Sequence, residues 1–161
     1  PRDGVAAGGR GAVASRRDPR PLTGGLAERL AATRALTLAL AEPLSDADAT
    51  IQPHPDASPA KWHLAHSTWF FETFVLRDHV PGYRIADERW AYLFNSYYEG
   101  EGERHPRPRR GMISRPSLDE VRIWRAAVDA ALQDTLPALG DVALAQVELG
   151  IQHEQQHQEL F

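Results

Sequence analysis

Four stretches of this chain repeat apolar residues at steps of three and four positions, the spacing that lines one face of an α-helix. The predicted helices cover residues 26 to about 42, 58 to about 79, 117 to 136 and 141 to about 160. No stretch sustains the apolar–polar alternation that a half-buried β-strand requires. Long amphipathic helices joined by short to medium links predict an all-α protein, folded as an up-and-down four-helix bundle.

Several helix starts carry recognisable signals. Ser58 followed by Pro59 is typical of an N-cap and a proline in the first helical position. Ser117 and Glu120 have the spacing of a capping box, and Asp141 is predicted to cap the last helix. These local signals support the predicted order of the helices.

The remaining segments are predicted to be connections. Residues 45–57 form a link with one short helical turn, residues 88–98 a shorter helical piece and residues 99–116 a long polar loop. Residues 1–25 are rich in Gly, Ala, Arg and Pro, with too few large apolar side chains to offset the entropy lost on ordering. We therefore expect a disordered leader followed by one domain over residues 26–161.

Composition limits the chemistry and the compartment. The chain has no cysteine, so a metal site within it must use His, Asp or Glu. The net charge of −4 gives no reason to expect binding to nucleic acid or to a membrane surface. No apolar run has the length of a membrane span and no signal peptide is recognisable, so we expect a cytoplasmic protein.

His153 and His157 are one helical turn apart, with Cβ atoms about 5–6 Å apart, so both rings can converge on one metal ion. We predict that they share an inner face with Leu149 and Leu160, where an unpaired polar group would cost a few kcal/mol. His66 lies in an aromatic stripe of the second helix, and a bundle can bring it to the same depth. Three neutral imidazoles suit zinc, iron, copper or nickel and leave coordination positions open. The alternatives are an exposed polar helix end and a hydrogen-bonded core histidine.

Residues 153–157 also match the zinc-peptidase pattern H-E-x-x-H, in which Glu154 would be a general base. That activity needs a third ligand, usually downstream, where Glu159 is the sole candidate. It also needs a strand edge for the peptide, and the sequence predicts none. We therefore interpret Glu154 and Glu159 as groups that fix the histidine tautomers or as bystanders. His63, about 60° round the helix from His66, either supports the site or faces solvent.

Residues 101–111 concentrate cations around two prolines. Such a run is commonly a solvated loop. Guanidinium groups also bind carboxylates through two parallel hydrogen bonds, which predicts a carboxylate-binding loop. Arg107 and Arg110 are the pair that we favour for this role.

Five strings, taken in order, carry a family resemblance: S-P-A-K-W-H-L-A-H, L-F-N-S-Y-Y, H-P-R-P-R-R-G, S-R-P-S and H-E-Q-Q-H-Q-E-L, which begin at residues 58, 93, 105, 114 and 153. From about residue 26 to residue 161 the chain resembles the N-terminal DinB-like domain of the ergothioneine-biosynthesis sulfoxide synthases, the EgtB family. Members of that family are non-haem iron(II) enzymes. They use dioxygen to join the sulfur of cysteine or γ-glutamylcysteine to hercynine, giving a sulfoxide.

The resemblance implies an Fe(2+) cofactor and small-molecule partners: hercynine, cysteine or γ-glutamylcysteine, and dioxygen. The residues it implies are the iron ligands His66, His153 and His157, the thiol-substrate contacts Arg107 and Arg110, and the hercynine contact Gln156.

The same family places a formylglycine-generating-enzyme-like domain after the bundle. We therefore expect this chain to be the N-terminal portion of such an enzyme and to turn over little by itself. Two alternatives remain. A DinB-like thiol transferase would use zinc or nickel, although the strings beginning at residues 93 and 105 fit the sulfoxide synthases better. An inactive fragment would only fold.

Overall fold

A computed structural model of the chain describes residues 22–161, with side chains from residue 25 onward. The helices are α1 (Leu22–Ala41), α2 (Asp46–Thr50), α3 (Ala60–Phe71), a π-helical continuation of α3 (Glu72–Arg77), α4 (Trp90–Phe94), α5 (Leu118–Thr135) and α6 (Asp141–Gln158). Short 3-10 turns are formed by Glu99–Glu101, Arg107–Met112 and Leu136–Ala138. No strand occurs within residues 22–161, so the all-α prediction is confirmed.

The four long helices pack against one another. Helix α1 contacts α6 and α3, and α3 also contacts α5 and α6. Helix α3 therefore packs against each of the other three long helices. Helix α1 begins four residues before its predicted start, and the rest of the predicted leader, residues 1–21, lies outside the described residues. Among the described helices, none combines the length and the hydrophobicity that a membrane crossing requires.

Local capping accounts for several helix boundaries. The predicted capping box at α5 is confirmed: the Glu120 N–H donates to Ser117 Oγ over 3.2 Å, and the Ser117 N–H donates to the Glu120 carboxylate over 2.7 Å. The short helix predicted within residues 45–57 is present as α2. Two predicted caps are wrong: Pro59 occupies the cap position of α3, and Gly140, with no side chain to accept a bond, precedes α6.

The predicted inner face of α6 is also wrong. Leu149 and Leu160, which we expected to face the core, are 51% and 59% exposed. The buried face consists of Ala143, Val147, Gly150, Ile151 and Glu154. The reason is that Glu154 finds buried cationic partners on other helices, so the core accepts a carboxylate where the sequence pattern favoured leucines. His153 and His157 lie at the edge of this face and are half-buried.

Gly150 allows α6 to approach α3 closely, one turn before His153. A Cβ on this residue would lie 2.5 Å from Cε1 of Phe71, a fully buried ring. We expect Gly150→Ala to lower the free energy of unfolding by about 1–2 kcal/mol, because overpacking outweighs the better helix propensity of alanine. Urea unfolding measures this, with Gly100→Ala as control, since a Cβ there meets nothing within 4 Å. A Gly150→Ala variant as stable as the parent would refute the close approach.

Candidate metal centre

Three histidines from two helices meet at one point. His66 projects from α3, and His153 and His157 project from consecutive turns of α6. Nε2 of His153 lies 3.1 Å from Nε2 of His66 and 3.1 Å from Nε2 of His157. The three potential ligand atoms all lie within 4.8 Å of one another.

These separations fit a shared ion. Metal–nitrogen bonds of about 2.0–2.1 Å hold two nitrogens about 2.9 Å apart at a right angle and about 3.4 Å apart at the tetrahedral angle. The observed 3.1 Å lies between these two values. The donor set therefore suits a metal bound by three imidazoles, with further coordination positions open.

Hydrogen bonding alone does not explain the contacts among the three rings. His66 Nδ1 lies 2.5 Å from the carbonyl oxygen of Phe94, so this nitrogen carries the hydrogen and Nε2 presents a lone pair. A single hydrogen on His153 Nε2 cannot point straight at both of its neighbours. A cation between the three nitrogens satisfies all of them, which is the second reason why these residues fit a metal.

The surroundings keep the three rings neutral. Burial lowers the pKa of His153 to about 4. Burial, followed by the charges that His153, His63 and Arg110 can carry, lowers the pKa of His157 to about 3. Burial and the two α6 histidines hold the pKa of His66 well below its usual range. Near neutral pH the rings are unprotonated, so metal binding does not require the loss of a proton.

Aromatic side chains fix the orientation of His66. Trp62, one turn earlier on α3, stacks on its ring with a centroid distance of 4.5 Å and an interplanar angle of 15°. Trp69 stacks at 5.8 Å and 18°. Phe70 packs against His153 at 4.8 Å. The aromatic side chains of α3 therefore hold the imidazole rings of His66 and His153 in place.

Arg110 is a buried cation in the same cavity. Its guanidinium lies over the face of Trp62, with Cζ 3.4 Å from the ring centroid, and donates to Ser58 Oγ over 2.8 Å and Ser96 Oγ over 3.2 Å. Its exposed fraction is 3%. Burial and then Arg107 lower its pKa to about 10, so it remains charged at neutral pH. Within the described part of the chain, no carboxylate forms an ion pair with it.

Arg107 lies beside Arg110 at the rim of the cavity. It donates to the Tyr97 hydroxyl, stacks over that ring at 5.6 Å and donates to the Asp56 carbonyl over 3.3 Å. It too forms no ion pair with a carboxylate among residues 25–161. Because neither guanidinium pairs with a carboxylate of the described residues, this end of the cavity is suitable for an anion.

The structure brings all the predicted site residues to one cavity of about 540 Å³. They are His66, His153, His157, Arg107, Arg110 and Gln156.

Sequence reasoning missed the role of Glu154. This carboxylate hydrogen-bonds none of the histidines and is fully buried away from the cavity, where Arg34, Arg125 and Thr37 bind it. Glu159 is exposed and has no hydrogen bond to a ring. The sequence did contain an indication of this ion pair. Arg125 lies among the apolar positions of α5, between Val121 and Val128, and a cation there requires a buried acidic partner.

His63 lines the cavity as well. Its exposed fraction is 4%, so His63 does not face solvent, which was one of the two predicted possibilities. Burial, then Arg110 and Arg107, lower its pKa to about 4.

Comparison with known protein families agrees with the all-helical fold. A family model described as the DinB superfamily matches residues 29–161. No curated protein matches the chain.

Proposed function

Because the chain belongs to the DinB superfamily, we propose that its three-histidine cavity is the iron centre of an oxygen-dependent sulfoxide synthase. The chain would act as the metal-binding portion of an enzyme that joins the sulfur of cysteine or γ-glutamylcysteine to hercynine. Three imidazole ligands would leave positions for the two organic substrates and dioxygen.

The observation that carries this proposal is the pair of guanidinium groups beside the three imidazoles. A buried cation without a counter-charge costs several kcal/mol, and a carboxylate supplied by a ligand would offset that cost for Arg110. Arg107 would add a second guanidinium at the rim. Both proposed thiol substrates carry carboxylates, so the arginines would hold the acid groups while the sulfur reaches the histidine end of the cavity.

The residues of the cavity would position the substrates. When bound, iron(II) would supply the binding and reduction of dioxygen. The reaction would join the sulfur to a ring carbon of hercynine and add one atom of dioxygen to the sulfur. The hydrogens lost from the ring carbon and the thiol would leave with the other oxygen atom as water. Gln156, exposed on the cavity wall, would offer an amide to hercynine. Holding hercynine, the thiol and dioxygen at one ion would replace a simultaneous encounter of three molecules in solution.

Thiol binding tests the arginine pair. We expect the iron(II)-loaded chain, kept anaerobic, to bind cysteine about 10- to 100-fold more tightly than cysteamine, which has the thiol but no carboxylate, as expected for charged hydrogen bonds of about 1.5–3 kcal/mol. In Arg107→Ala this preference should shrink, because one guanidinium is lost. Arg109→Ala is the matched control, since Arg109 is exposed and does not line the cavity. Calorimetric titration gives the constants, and equal binding of both thiols by the parent would argue against the carboxylate site.

The reaction itself distinguishes the two enzyme classes. The iron-loaded full-length protein, given hercynine, a thiol and dioxygen, should form a sulfoxide product that mass spectrometry detects. Transfer of a thiol to an electrophile by zinc- or nickel-loaded protein, with no need for dioxygen, would instead support a DinB-like thiol transferase.

A further inference from the structure

A further histidine, His63, contacts one of the three candidate ligands, His157. His63 projects from α3, three residues before His66, and its Nδ1 lies 2.8 Å from Nδ1 of His157. The ring centroids are 5.1 Å apart with an interplanar angle of 50°. The contact therefore joins α3 to α6 through two imidazoles, on the side of His157 that faces away from His153.

The positions of the hydrogens follow from the geometry. Two ring nitrogens at 2.8 Å share one hydrogen, so one ring donates and the other accepts. Nε2 of His157 faces Nε2 of His153 at 3.1 Å, where the shared ion would lie. A nitrogen that binds a metal carries no hydrogen, so the hydrogen of His157 must be on Nδ1. His63 is then the acceptor through Nδ1, and its own hydrogen is on Nε2.

We propose that His63 is a positioning residue of the metal centre: by accepting the Nδ1–H of His157, it holds that ring in the tautomer and orientation that present Nε2 to the ion. The proposal rests on the three-histidine metal centre and not on the sulfoxide chemistry. It gives a role to a buried histidine that the proposed reaction does not use.

The other two candidate ligands show why this contact matters. The Phe94 carbonyl accepts the Nδ1–H of His66, which fixes that ring through the backbone. Nδ1 of His153 is buried and has no hydrogen-bond partner among the described residues. Thus His63 provides the side-chain acceptor of the group, and without it His157 would be free to place its hydrogen on Nε2 and lose its lone pair towards the ion.

Cobalt(II) binding to the chain tests the proposal, because cobalt reports coordination through its visible absorption. We expect His63→Phe, which removes the acceptor but keeps an aromatic ring, to weaken cobalt binding about 10- to 100-fold and to change the cobalt spectrum. His63→Gln should recover part of the affinity, since its amide oxygen can accept the same hydrogen. The control is His54→Phe, because His54 is 68% exposed in a loop. Thermal unfolding checks that the variants remain folded.

Two outcomes would overturn the proposal alone: unchanged affinity and spectrum in His63→Phe, or a loss in His63→Phe that His63→Gln does not reduce. Failure of the parent to bind cobalt would overturn the metal centre and this proposal together. A measurement without any variant is nitrogen NMR of the zinc-loaded, ¹⁵N-histidine-labelled parent. It should find the hydrogen on Nδ1 of His157 and on Nε2 of His63, and the reverse assignment would also overturn the proposal.

Discussion

Replacing Glu154 with alanine is expected to lower the free energy of unfolding by about 3–5 kcal/mol, the usual loss when one partner of a buried ion pair is removed. This is a large share of the roughly 5–15 kcal/mol that stabilises an ordinary domain. The variant should therefore be partly unfolded at physiological temperature.

The reason lies in the cluster around the Glu154 carboxylate, which has no exposed surface. Arg34 Nη1 donates to it over 2.9 Å, Thr37 Oγ1 donates over 2.6 Å, and Arg125 Nη2 donates to the same oxygen as Thr37. Burial raises the pKa of Glu154, but the two arginines outweigh burial and lower it to about 2. Removing the carboxylate would leave Arg125 with no ion pair among the described residues. Arg34 would keep only its pair with Asp129, over 2.5 Å.

Chemical denaturation compares Glu154→Ala with two other variants. Glu154→Gln keeps the shape of the side chain and removes the charge, so it should also destabilise the protein. Glu148→Ala is the matched control, because Glu148 lies on the same helix and pairs with Arg29 where both side chains are exposed. That surface pair should contribute about 0–1 kcal/mol. Similar losses in Glu154→Ala and Glu148→Ala would contradict the buried cluster.

Removing two candidate ligands together is expected to abolish metal binding. The affinity of the double variant His153→Ala/His157→Ala for iron(II) should be lower than that of the parent by well over 100-fold. Removing a residue that only hydrogen-bonds to a metal ligand already lowers the affinity by about 10- to 100-fold. Both side chains are half-buried, and Glu154, which holds α6 to the core, is untouched. The fold should therefore survive.

Anaerobic loading with iron(II), desalting and elemental analysis measure this loss. The control is His54→Ala/His105→Ala, which removes the same number of histidines from loops and leaves the cavity ring nitrogens in place. The parent and this control should retain similar amounts of iron. Equal iron in the parent and in the His153/His157 variant would refute the ligand assignment.

Local signals predicted the helices well and the faces of the helices less well. The capping box of α5 was predictable because Ser117 and Glu120 interact within one turn. The rotation of α6 about its axis was not, because leucines and a glutamate competed for the core. Arg34 and Glu154, which decide that competition, are 120 residues apart in the sequence.

The sequence by itself determined which residues were available for the site. Three local patterns could be recognised from the sequence without the fold. They are the i, i+4 spacing of His153 and His157, the aromatic neighbours of His66 and the clustering of Arg107 and Arg110. Only the tertiary structure decided that three Nε2 atoms face one another, that two guanidinium groups meet them without carboxylate partners in the described chain, and that His63 lies behind His157. The physical reason is that these relations depend on contacts across the bundle, such as that between His66 and His153, 87 residues apart. Such contacts are set by how the helices pack and rotate, which no local spacing encodes.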